Sequence, residues 1–408
     1  MAEAEPLCCC EFRNHKGEKS HMLACFCDCE ALDESVDRCF KCESVPNETI
    51  QRFFNDVSDR CRIPGLTGKG AVQVDMEVAG PICLVPISLL IATYGPVTTF
   101  FIFFLILPLS LYQLYRCWKK QTHKTRTKFF YAWGLTSFIL MYLVYELLVF
   151  DPGKGDYSEN IMLTLGVIFV MYFFILAKRD PGVLTPSDKL HQEIKKMENG
   201  NPYLKYNGIV KPVDIDTHQG RNVKMSLTNF SITVSEDASS HCDECHILKP
   251  DRAGHCNACN VCVAERDHHC VWIDNCVGRN NHRSFFLALT SFVLCGFYGV
   301  YLTMQSICEG TDTLLCSYKI LYRDFGNSLG FVGSCYTFAV VCMMLALLVN
   351  QFILISQNTT SQELFKAAAK KQTCFFLYAT RNPHNKGFFK NWYSFITKTR
   401  SKNTYYDL

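Results

Sequence analysis

The stretch CDECHILKPDRAGHCNACNVCVAERDHHCVWIDNC, residues 242–276, decides how the middle of this chain folds. It holds seven cysteines and four histidines. A Cys-x2-Cys spacing suits zinc because a tight turn directs both sulfurs at one ion. This spacing occurs at Cys242/Cys245, Cys256/Cys259 and Cys259/Cys262. Two tetrahedral zinc sites require about eight ligands, so the segment can fill both sites and keep cysteine and histidine to spare.

The surplus lies at the end of the stretch, in Asp267-His268-His269-Cys270. A cysteine that binds no metal, close to a histidine with an aspartate beside it, is the arrangement of an activated thiol nucleophile. The competing interpretation is that every cysteine, Cys270 included, is a zinc ligand and that the segment is inert scaffolding. The excess of candidate ligands over ligand places argues against that interpretation.

These motifs resemble the DHHC-type protein S-acyltransferase (palmitoyltransferase) family. The resemblance includes Lys249-Pro250-x-Arg252, Trp272, Cys276, Asn281 and Phe285. With the membrane plan given below, it covers about residues 80 to 395. It implies two structural Zn²⁺ ions, each held by three cysteines and one histidine. One site would be Cys242, Cys245, His255 and Cys262, and the other Cys256, Cys259, His269 and Cys276.

The resemblance also implies roles for the remaining groups. Cys270 is the nucleophile, His268 takes its proton, and Asp267 holds the imidazole tautomer and stabilises the imidazolium. A free cysteine thiol has a pKa of about 8.5, so little thiolate is present at neutral pH without such help. The expected reaction is ping-pong transfer of a long-chain (palmitoyl) group. Acyl-CoA acylates Cys270, CoA leaves, and a cysteine thiol of a client protein takes the acyl group.

Cations near the membrane are needed for the phosphates of acyl-CoA. Arg279 and Arg283 are the candidates for this cofactor-binding role, ahead of Lys249 and Arg252. The alternative is that these arginines reach the lipid headgroups.

The chain departs from the family pattern in places. Val271 stands where proline usually follows the nucleophile, which changes the backbone beside it but no chemical role. Gln362 occupies the place of the acid in a Thr-Thr-x-Glu motif, and Glu363 follows one residue late. Thr360 and Glu363 have capping-box spacing and predict a helix over 361–372. These departures are the support for the alternative function, a catalytically silent zinc-binding membrane scaffold or adaptor.

The rest of the chain predicts an α-helical polytopic membrane protein with about six transmembrane helices. The composition is 49% hydrophobic, and the apolar residues concentrate in blocks near 81–115, 129–150, 161–178, 284–307 and 329–355. Blocks of about 18 or more apolar residues are typical of membrane spans. The first block would reach about 50 Å as one helix, against a bilayer core of about 30 Å. Gly95-Pro96 therefore predicts a turn between two spans; the alternative is a kink in one tilted helix.

Charge sets the expected orientation. The loop 116–128 holds six Lys/Arg and no acid, so it should be cytosolic, and the acidic loop 151–160 should be lumenal. Both termini and the active site would then be cytosolic, in a Golgi or endoplasmic reticulum membrane. The expected domains are 1–80, a cytosolic cysteine-rich region; 81–178, four spans; 179–241, a cytosolic linker; 242–283, the catalytic zinc module; 284–355, two spans; and 356–408, a cytosolic tail.

Other function classes fit poorly. A net charge of +3 gives no case for nucleic acid binding. A channel or transporter is disfavoured because Glu146 is the only ionisable residue deep in a predicted span. The expected partners are client proteins with membrane-proximal cysteines, long-chain acyl-CoA and the lipid bilayer. The nine cysteines of residues 1–80 can bind a further metal or be acylated themselves. No internal repeat is recognised.

Overall fold

The structure is a computed structural model. It describes most of residues 11–106, 126–184, 224–233, 241–308, 316–374 and 378–397, with short gaps inside these ranges, and residues 108, 109 and 112. The chain divides into two compact units, Met1–Leu148 with Cys316–Gly333, and Val149–Leu315 with Ser334–Leu408. The second unit contains the whole zinc module.

Helices dominate the described residues. They are α1 (Cys29–Phe40), α2 (Met76–Ala92), α3 (Pro96–Phe101, continued by a π-helical turn Ile102–Ile106), α4 (Phe129–Val144, continued by a π-helical turn Tyr145–Val149), α5 (Tyr157–Ala177), α6 (His282–Ile307), α7 (Tyr318–Leu321), α8 (Phe325–Gln357), α9 (Ser361–Ala369) and α10 (Phe388–Thr397).

The strands are short, and neighbours in sequence pair as antiparallel two-stranded ribbons. They are β1 (Glu11–Arg13) with β2 (Lys19–His21), β3 (Arg62–Ile63) with β4 (Val72–Gln73), β5 (Lys224–Leu227) with β6 (Phe230–Thr233), β7 (His241–Cys242) with β8 (Ile247–Leu248), β9 (Gly254–Cys256) with β10 (Val261–Val263), β11 (His268–Cys270) with β12 (Asn275–Val277), and β13 (Thr373–Cys374) with β14 (Tyr378–Ala379).

The prediction of a helical polytopic membrane protein is confirmed. Within the described residues, four helices are long and apolar enough to cross a membrane, namely Phe129–Val149, Tyr157–Ala177, His282–Ile307 and Phe325–Gln357. Two shorter apolar helices, Glu77–Ala92 and Pro96–Ile106, correspond to the first two predicted spans. The zinc module follows α5 and precedes α6 in the chain, as predicted.

The chain breaks at the predicted turn before Pro96. α2 ends at Ala92, and α3 begins with Pro96, whose fixed φ suits the first helical position. The Thr99 hydroxyl donates to the Ala92 carbonyl at 2.7 Å and ties the two ends together. The segment therefore forms two helices and not one kinked helix.

Helix ends differ from the predicted blocks because polar caps lie outside the apolar runs. α2 begins at Met76, five residues before the block, where the Asp75 carboxylate accepts from the Glu77 amide at 3.0 Å. Asp156 caps α5 in the same way, so the acidic loop is shorter than 151–160. Most of the basic loop 116–128, the linker 185–223 and the side chains of Cys39 and Cys42 lie outside the described residues.

Three helices of the second unit pack closely around small residues. Gly166 on α5 faces Cys295 on α6, and Gly296 on α6 faces Val341 on α8. A Cβ at Gly296 would overlap the Val341 side chain, so only glycine allows this approach. Small residues at such contacts are the usual way for membrane helices to pack.

An Asp-Pro-Gly turn joins α5 to the zinc module. The Asp180 carboxylate accepts from the Gly182 and Val183 amides at 2.9 and 3.0 Å, and from Asn280 Nδ2 at 3.2 Å. Gly182 has φ +98, which favours glycine, and its carbonyl accepts from the Ala264 amide at 2.9 Å. The module is thereby fixed against the end of α5.

Candidate active site

The hairpin of β11 and β12 separates two kinds of chemistry. Successive side chains of a strand point to opposite faces. His268 and Cys270 therefore share one face of β11, while His269 lies on the other. In the pairing register, His269 is directly opposite Cys276 on β12.

On the His269 face lies one of two Cys/His clusters. Its members are Cys256, Cys259, His269 and Cys276, whose ligand atoms all lie within 4.8 Å of one another. His269 Nδ1 is 3.3 Å from Cys259 Sγ and 3.9 Å from Cys276 Sγ. In a tetrahedral zinc site, with Zn–S and Zn–N bonds of about 2.3 and 2.0 Å, neighbouring ligand atoms lie about 3.5–3.8 Å apart. The cluster fits zinc.

The other cluster has the same composition. Cys242, Cys245, His255 and Cys262 also lie within 4.8 Å of one another. His255 Nδ1 is 3.4, 3.3 and 3.8 Å from the three sulfurs, in that order. This cluster fits zinc equally well. The eight residues of both clusters are those that the family resemblance implied.

The two ligand sets are related by a constant step of 14 residues, which pairs Cys242 with Cys256, Cys245 with Cys259, His255 with His269 and Cys262 with Cys276. The expectation of no internal repeat is therefore wrong for this segment. The ligand spacing alone could have indicated the repeat, but the two sets interleave in sequence and conceal it.

Asp267 is the most heavily hydrogen-bonded carboxylate of the site. It is 1% exposed and accepts from four donors. These are His268 Nδ1 at 2.6 Å, Gln351 Nε2 at 3.0 Å, the Ser361 amide at 2.6 Å and the Ser361 hydroxyl at 2.9 Å. Burial raises the pKa of Asp267, but the hydrogen bond from His268 and the nearby His282 outweigh it and hold the pKa well below its usual range. Asp267 is therefore an acceptor only.

The bond to Asp267 sets the tautomer of His268. Nδ1 carries a proton, so Nε2 is the atom free to take one from a thiol. Burial lowers the pKa of His268, but hydrogen bonds with Asp267 and Cys270 raise it to about 10. The Phe285 ring meets the imidazole edge to face, with centroids 5.5 Å apart. This environment stabilises the imidazolium form of His268.

Cys270 faces the membrane helices. It is 4% exposed and belongs to an apolar cluster with Ala177, Ile273, Val277, Phe285 and Leu289. Partly buried side chains pack against this cluster from α5, the zinc module and α8, namely Phe174, Trp272, Met344, Leu347 and Leu348. The thiol thus lies where a hydrocarbon chain between helices can reach it.

The structure brings Arg279 and Arg283 into one cleft, which Arg252 and His282 also line. Arg279 Nε lies 3.9 Å from Glu265 Oε1, beyond hydrogen-bond distance. Arg283 Nη1 donates to the Ile396 carbonyl at 2.7 Å. Arg252 is engaged by a bidentate pair with Glu363, at 2.7 and 3.0 Å. Of the three arginines, Arg279 has the guanidinium least committed to protein groups among the described residues.

In the first turn of α9, Gln362 and Glu363, the two residues that depart from the Thr-Thr-x-Glu pattern, both form hydrogen bonds. Thr360 and Glu363 form the predicted capping box, although α9 ends at Ala369, before the predicted residue 372. Glu363 also pairs with Arg252, and Gln362 accepts from Arg266 Nη1 at 3.0 Å. The displaced acid therefore binds one arginine of the zinc module while the glutamine binds another.

Two asparagines fix β12 to α5. Asn281, fully buried, donates to the Ala177 and Cys276 carbonyls at 2.7 and 2.8 Å. Asn275 donates to the Lys178 carbonyl at 3.0 Å. These bonds place Cys270, the partner of Asn275 in the register, beside the end of α5.

Sequence reasoning missed Gln351 and Ser361, which come from distant parts of the chain. No local motif marks Ser361. The one available signal for Gln351 was Asn350-Gln351 interrupting the apolar run 338–355, because polar residues in membrane helices commonly serve a function.

Comparisons with known proteins agree with this geometry. Residues 235–368 match the model of the DHHC palmitoyltransferase family. The chain is 34% identical to palmitoyltransferase ZDHHC23 of Mus musculus over 411 residues, which cover 97% of this chain and 94% of the relative. It is 32% identical to palmitoyltransferase ZDHHC23 of Homo sapiens, over 90% of this chain and 91% of the relative. It is 27% identical to palmitoyltransferase ZDHHC23-A of Danio rerio, over 96% and 93%.

Proposed function

The chain belongs to the DHHC palmitoyltransferase family and is a protein S-palmitoyltransferase, and we propose that it works through an S-acyl enzyme formed on Cys270. One observation carries this mechanism. His268 and Cys270 share a face of β11, and His268 Nδ1 is bound to the buried Asp267 at 2.6 Å.

The first half-reaction moves one proton and one acyl group. His268 Nε2 takes the proton of the Cys270 thiol, and the thiolate attacks the carbonyl carbon of the acyl-CoA thioester. The carbon–sulfur bond to CoA breaks, and the leaving thiolate takes the proton back from the imidazolium. Asp267 stays ionised and holds the ring.

The second half-reaction repeats these steps with a new thiol. His268 takes the proton of a client cysteine, whose thiolate attacks the Cys270 thioester. Cys270 leaves as a thiolate and is reprotonated. One thioester replaces another in each half, so no ATP is required.

Two structural Zn²⁺ ions held by the two Cys/His clusters would supply rigidity only. In this proposal, His269 would be a zinc ligand on one face of β11 and would so hold the strand whose other face carries His268 and Cys270. The metal takes no part in either half-reaction.

Acyl-CoA would approach from two sides of Cys270. The apolar side chains of α5, α6 and α8 around Cys270 suit the hydrocarbon chain. Arg279 and Arg283 suit the phosphates, since both line one cleft. A separate cavity of about 430 Å³, lined by His268 and Phe365 among others, offers an approach for the client cysteine.

The proposed orientation follows the charge pattern. The six cations of the loop 116–128 support a cytosolic position for both termini and the active site. The proposed domains are those of the sequence-based division, with the zinc module at 242–283. The proposed location is a Golgi or endoplasmic reticulum membrane, and the proposed clients carry cysteines near a membrane.

Acyl-enzyme trapping tests the proposal. The full chain, purified in detergent, is incubated with alkyne-labelled palmitoyl-CoA, and hydroxylamine-labile label on the protein is measured. Cys270→Ser should lose the label, and Cys342→Ser, an exposed cysteine on α8, should keep it.

The other outcomes are equally informative. Label that persists in Cys270→Ser would reject Cys270 and direct attention to the cysteines of residues 1–80. No label on the wild type, with two zinc ions bound per chain, would favour a silent scaffold.

A further inference from the structure

Gln351 is an amide buried where an apolar residue would be expected. It lies on α8, in the membrane-span candidate Phe325–Gln357, and is 1% exposed. A buried amide is costly unless its hydrogen bonds are satisfied. Both ends of this one are used. Nε2 donates to Asp267 Oδ2 at 3.0 Å, and Oε1 lies 2.8 Å from His282 Nε2.

The chemistry of the partners fixes which way the amide points. The Asp267 carboxylate accepts from His268 Nδ1 and from the amide and hydroxyl of Ser361, so it acts as an acceptor here and faces the NH2 group. Oε1 is therefore turned to His282, and His282 must carry its proton on Nε2. The chain of donors runs from His282 to Gln351 to Asp267, and Asp267 in turn accepts from His268 Nδ1 at 2.6 Å.

We propose that Gln351 is a positioning residue for the acyl-transfer reaction. His282 orients the Gln351 amide, and this amide holds Asp267 so that His268 presents Nε2 to Cys270. This inference rests on the proposed roles of Asp267 and His268. Gln351 does not touch the reacting atoms.

The geometry explains why Ser361 alone is insufficient. The Ser361 amide bonds Oδ1 of Asp267, and its hydroxyl bonds Oδ2. Both donors come from the first residue of α9, so they approach from one side. Gln351 binds Oδ2, the oxygen that also accepts from His268, and comes from α8. The carboxylate is thus clamped between two helices, and loss of Gln351 frees it to turn.

His282 completes the arrangement from the first turn of α6. Its ring meets Phe395 edge to face, with centroids 5.2 Å apart, and this contact holds it against the amide. Without the Nε2 proton of His282 at Oε1, the amide can flip and present oxygen to the carboxylate, which would repel Asp267.

Gln351→Leu is the main test, because leucine has nearly the same volume but no hydrogen bonds. Gln357→Leu is the matched control, since Gln357 is a buried glutamine on the same helix and donates to Ile353 of its own helix. We expect Gln351→Leu to lower the single-turnover acylation rate at saturating palmitoyl-CoA about 10- to 100-fold, the effect of one hydrogen bond to a charged group. KM and the zinc content of two per chain should be unchanged, and Gln357→Leu should stay within about twofold of the wild type.

A second readout separates this inference from the proposed mechanism. The rate at which a neutral haloacetamide alkylates Cys270 reports the thiolate without any acyl transfer. Gln351→Leu should slow it by a similar factor, even if the wild type fails to form an acyl-enzyme. In a His268→Ala background, Gln351→Leu should have no further effect, because residues that act through one group are non-additive.

His282 provides the test if Gln351→Leu does not fold. His282→Phe should slow alkylation and acylation about threefold to tenfold, and His282→Gln, which keeps a donor, should recover most of the loss. An unchanged rate in Gln351→Leu or His282→Phe, or full additivity with His268→Ala, would show that these residues are merely structural.

Discussion

The two hairpins of the zinc module have one backbone and carry different chemistry. Shifted by 14 residues, β9 with β10 coincides in register with β11 with β12. The turn residues Asn260 and Asp274 both have positive φ, at 54 and 46. The preceding Arg252 and Arg266 both bind the first turn of α9, through Glu363 and Gln362.

The hairpins differ in residue type at two equivalent positions, one just before the first strand and one at its start, and in the role of one shared cysteine. Ala253, Gly254 and Cys256 in one correspond to Asp267, His268 and Cys270 in the other. Cys256 belongs to the cluster that contains His269. A further shift of 14 residues places Ile273, Arg283 and Thr290 where Cys270 would need metal ligands. The proposed nucleophile, Cys270, thus occupies a ligand position whose partner ligands are missing.

In the proposed mechanism, this difference converts a metal-binding hairpin into a reactive one. The backbone is not altered. Without partner ligands Cys270 is left outside both clusters, and an aspartate and a histidine stand upstream of it where the other hairpin has alanine and glycine. Variants at equivalent positions of the two hairpins test each part of this comparison.

The largest effect should come from the equivalent cysteines. Cys256→Ser should lose the zinc of the cluster that contains His269 and destabilise the module, because a structural zinc contributes about 10–16 kcal/mol in small zinc domains. Cys270→Ser should keep two zinc ions per chain and the wild-type unfolding temperature, while losing all acyl-enzyme. Metal analysis and thermal unfolding in detergent measure both. Loss of zinc from Cys270→Ser would show that Cys270 is a zinc ligand. Cys256 and Cys270 would then have the same role.

Variants of the neighbouring residues His268 and His269 should also differ, in acylation rate and in zinc content. His268→Gly makes the second hairpin like the first, and we expect a loss of about 10²- to 10⁴-fold in acylation rate with zinc retained, as for removal of a general base. His269→Ala should instead release zinc. Rapid-quench acylation and metal content distinguish the two. A rate for His268→Gly near that of the wild type would exclude His268 as the base.

Glu363 and Gln362, the two α9 residues that bind arginines of the zinc module, should differ less, and the difference should be in the free energy of unfolding. Glu363→Gln breaks a largely buried ion pair with Arg252, and we expect a loss of about 2 kcal/mol in the free energy of unfolding. Gln362→Ala removes the neutral partner of Arg266 and should cost about 1 kcal/mol or less. Chemical unfolding, monitored by tryptophan fluorescence, measures the stability of both variants. Equal losses would show that the charge of Glu363 adds nothing.

The smallest effect should come from Gly254→Ala, at the position equivalent to His268. A Cβ there would overlap the Gln362 side chain, which can move at its flexible end. We expect a loss below about 1 kcal/mol and an acylation rate within about twofold of the wild type. A large loss of zinc would instead mean that Gly254 is required for the geometry of the cluster that contains His255.

The membrane plan was accessible from sequence because length and hydropathy determine it. Blocks of apolar residues predicted the helices, and Gly95-Pro96 predicted the break between α2 and α3. Helix ends were less accurate, as at Met76, because polar caps lie outside the apolar pattern.

The site was accessible only where its residues are close in sequence. The family resemblance supplied the groups from Cys242 to Cys276. Gln351 and Ser361 reach Asp267 from 84 and 94 residues away, and no spacing rule links such distances. The contact depends on how α8 and α9 pack against the module, which only the structure shows.

α8 connects the lipid side of the site to its polar side within two turns. Met344, Leu347 and Leu348 pack against the cluster around Cys270, and Gln351 is three residues beyond Leu348 on the same face. A helix moves as a rigid rod over so short a length. An acyl chain that fits badly against the three apolar side chains therefore also displaces the amide that holds Asp267. The enzyme would discriminate between chain lengths through turnover at saturation, and not only through binding.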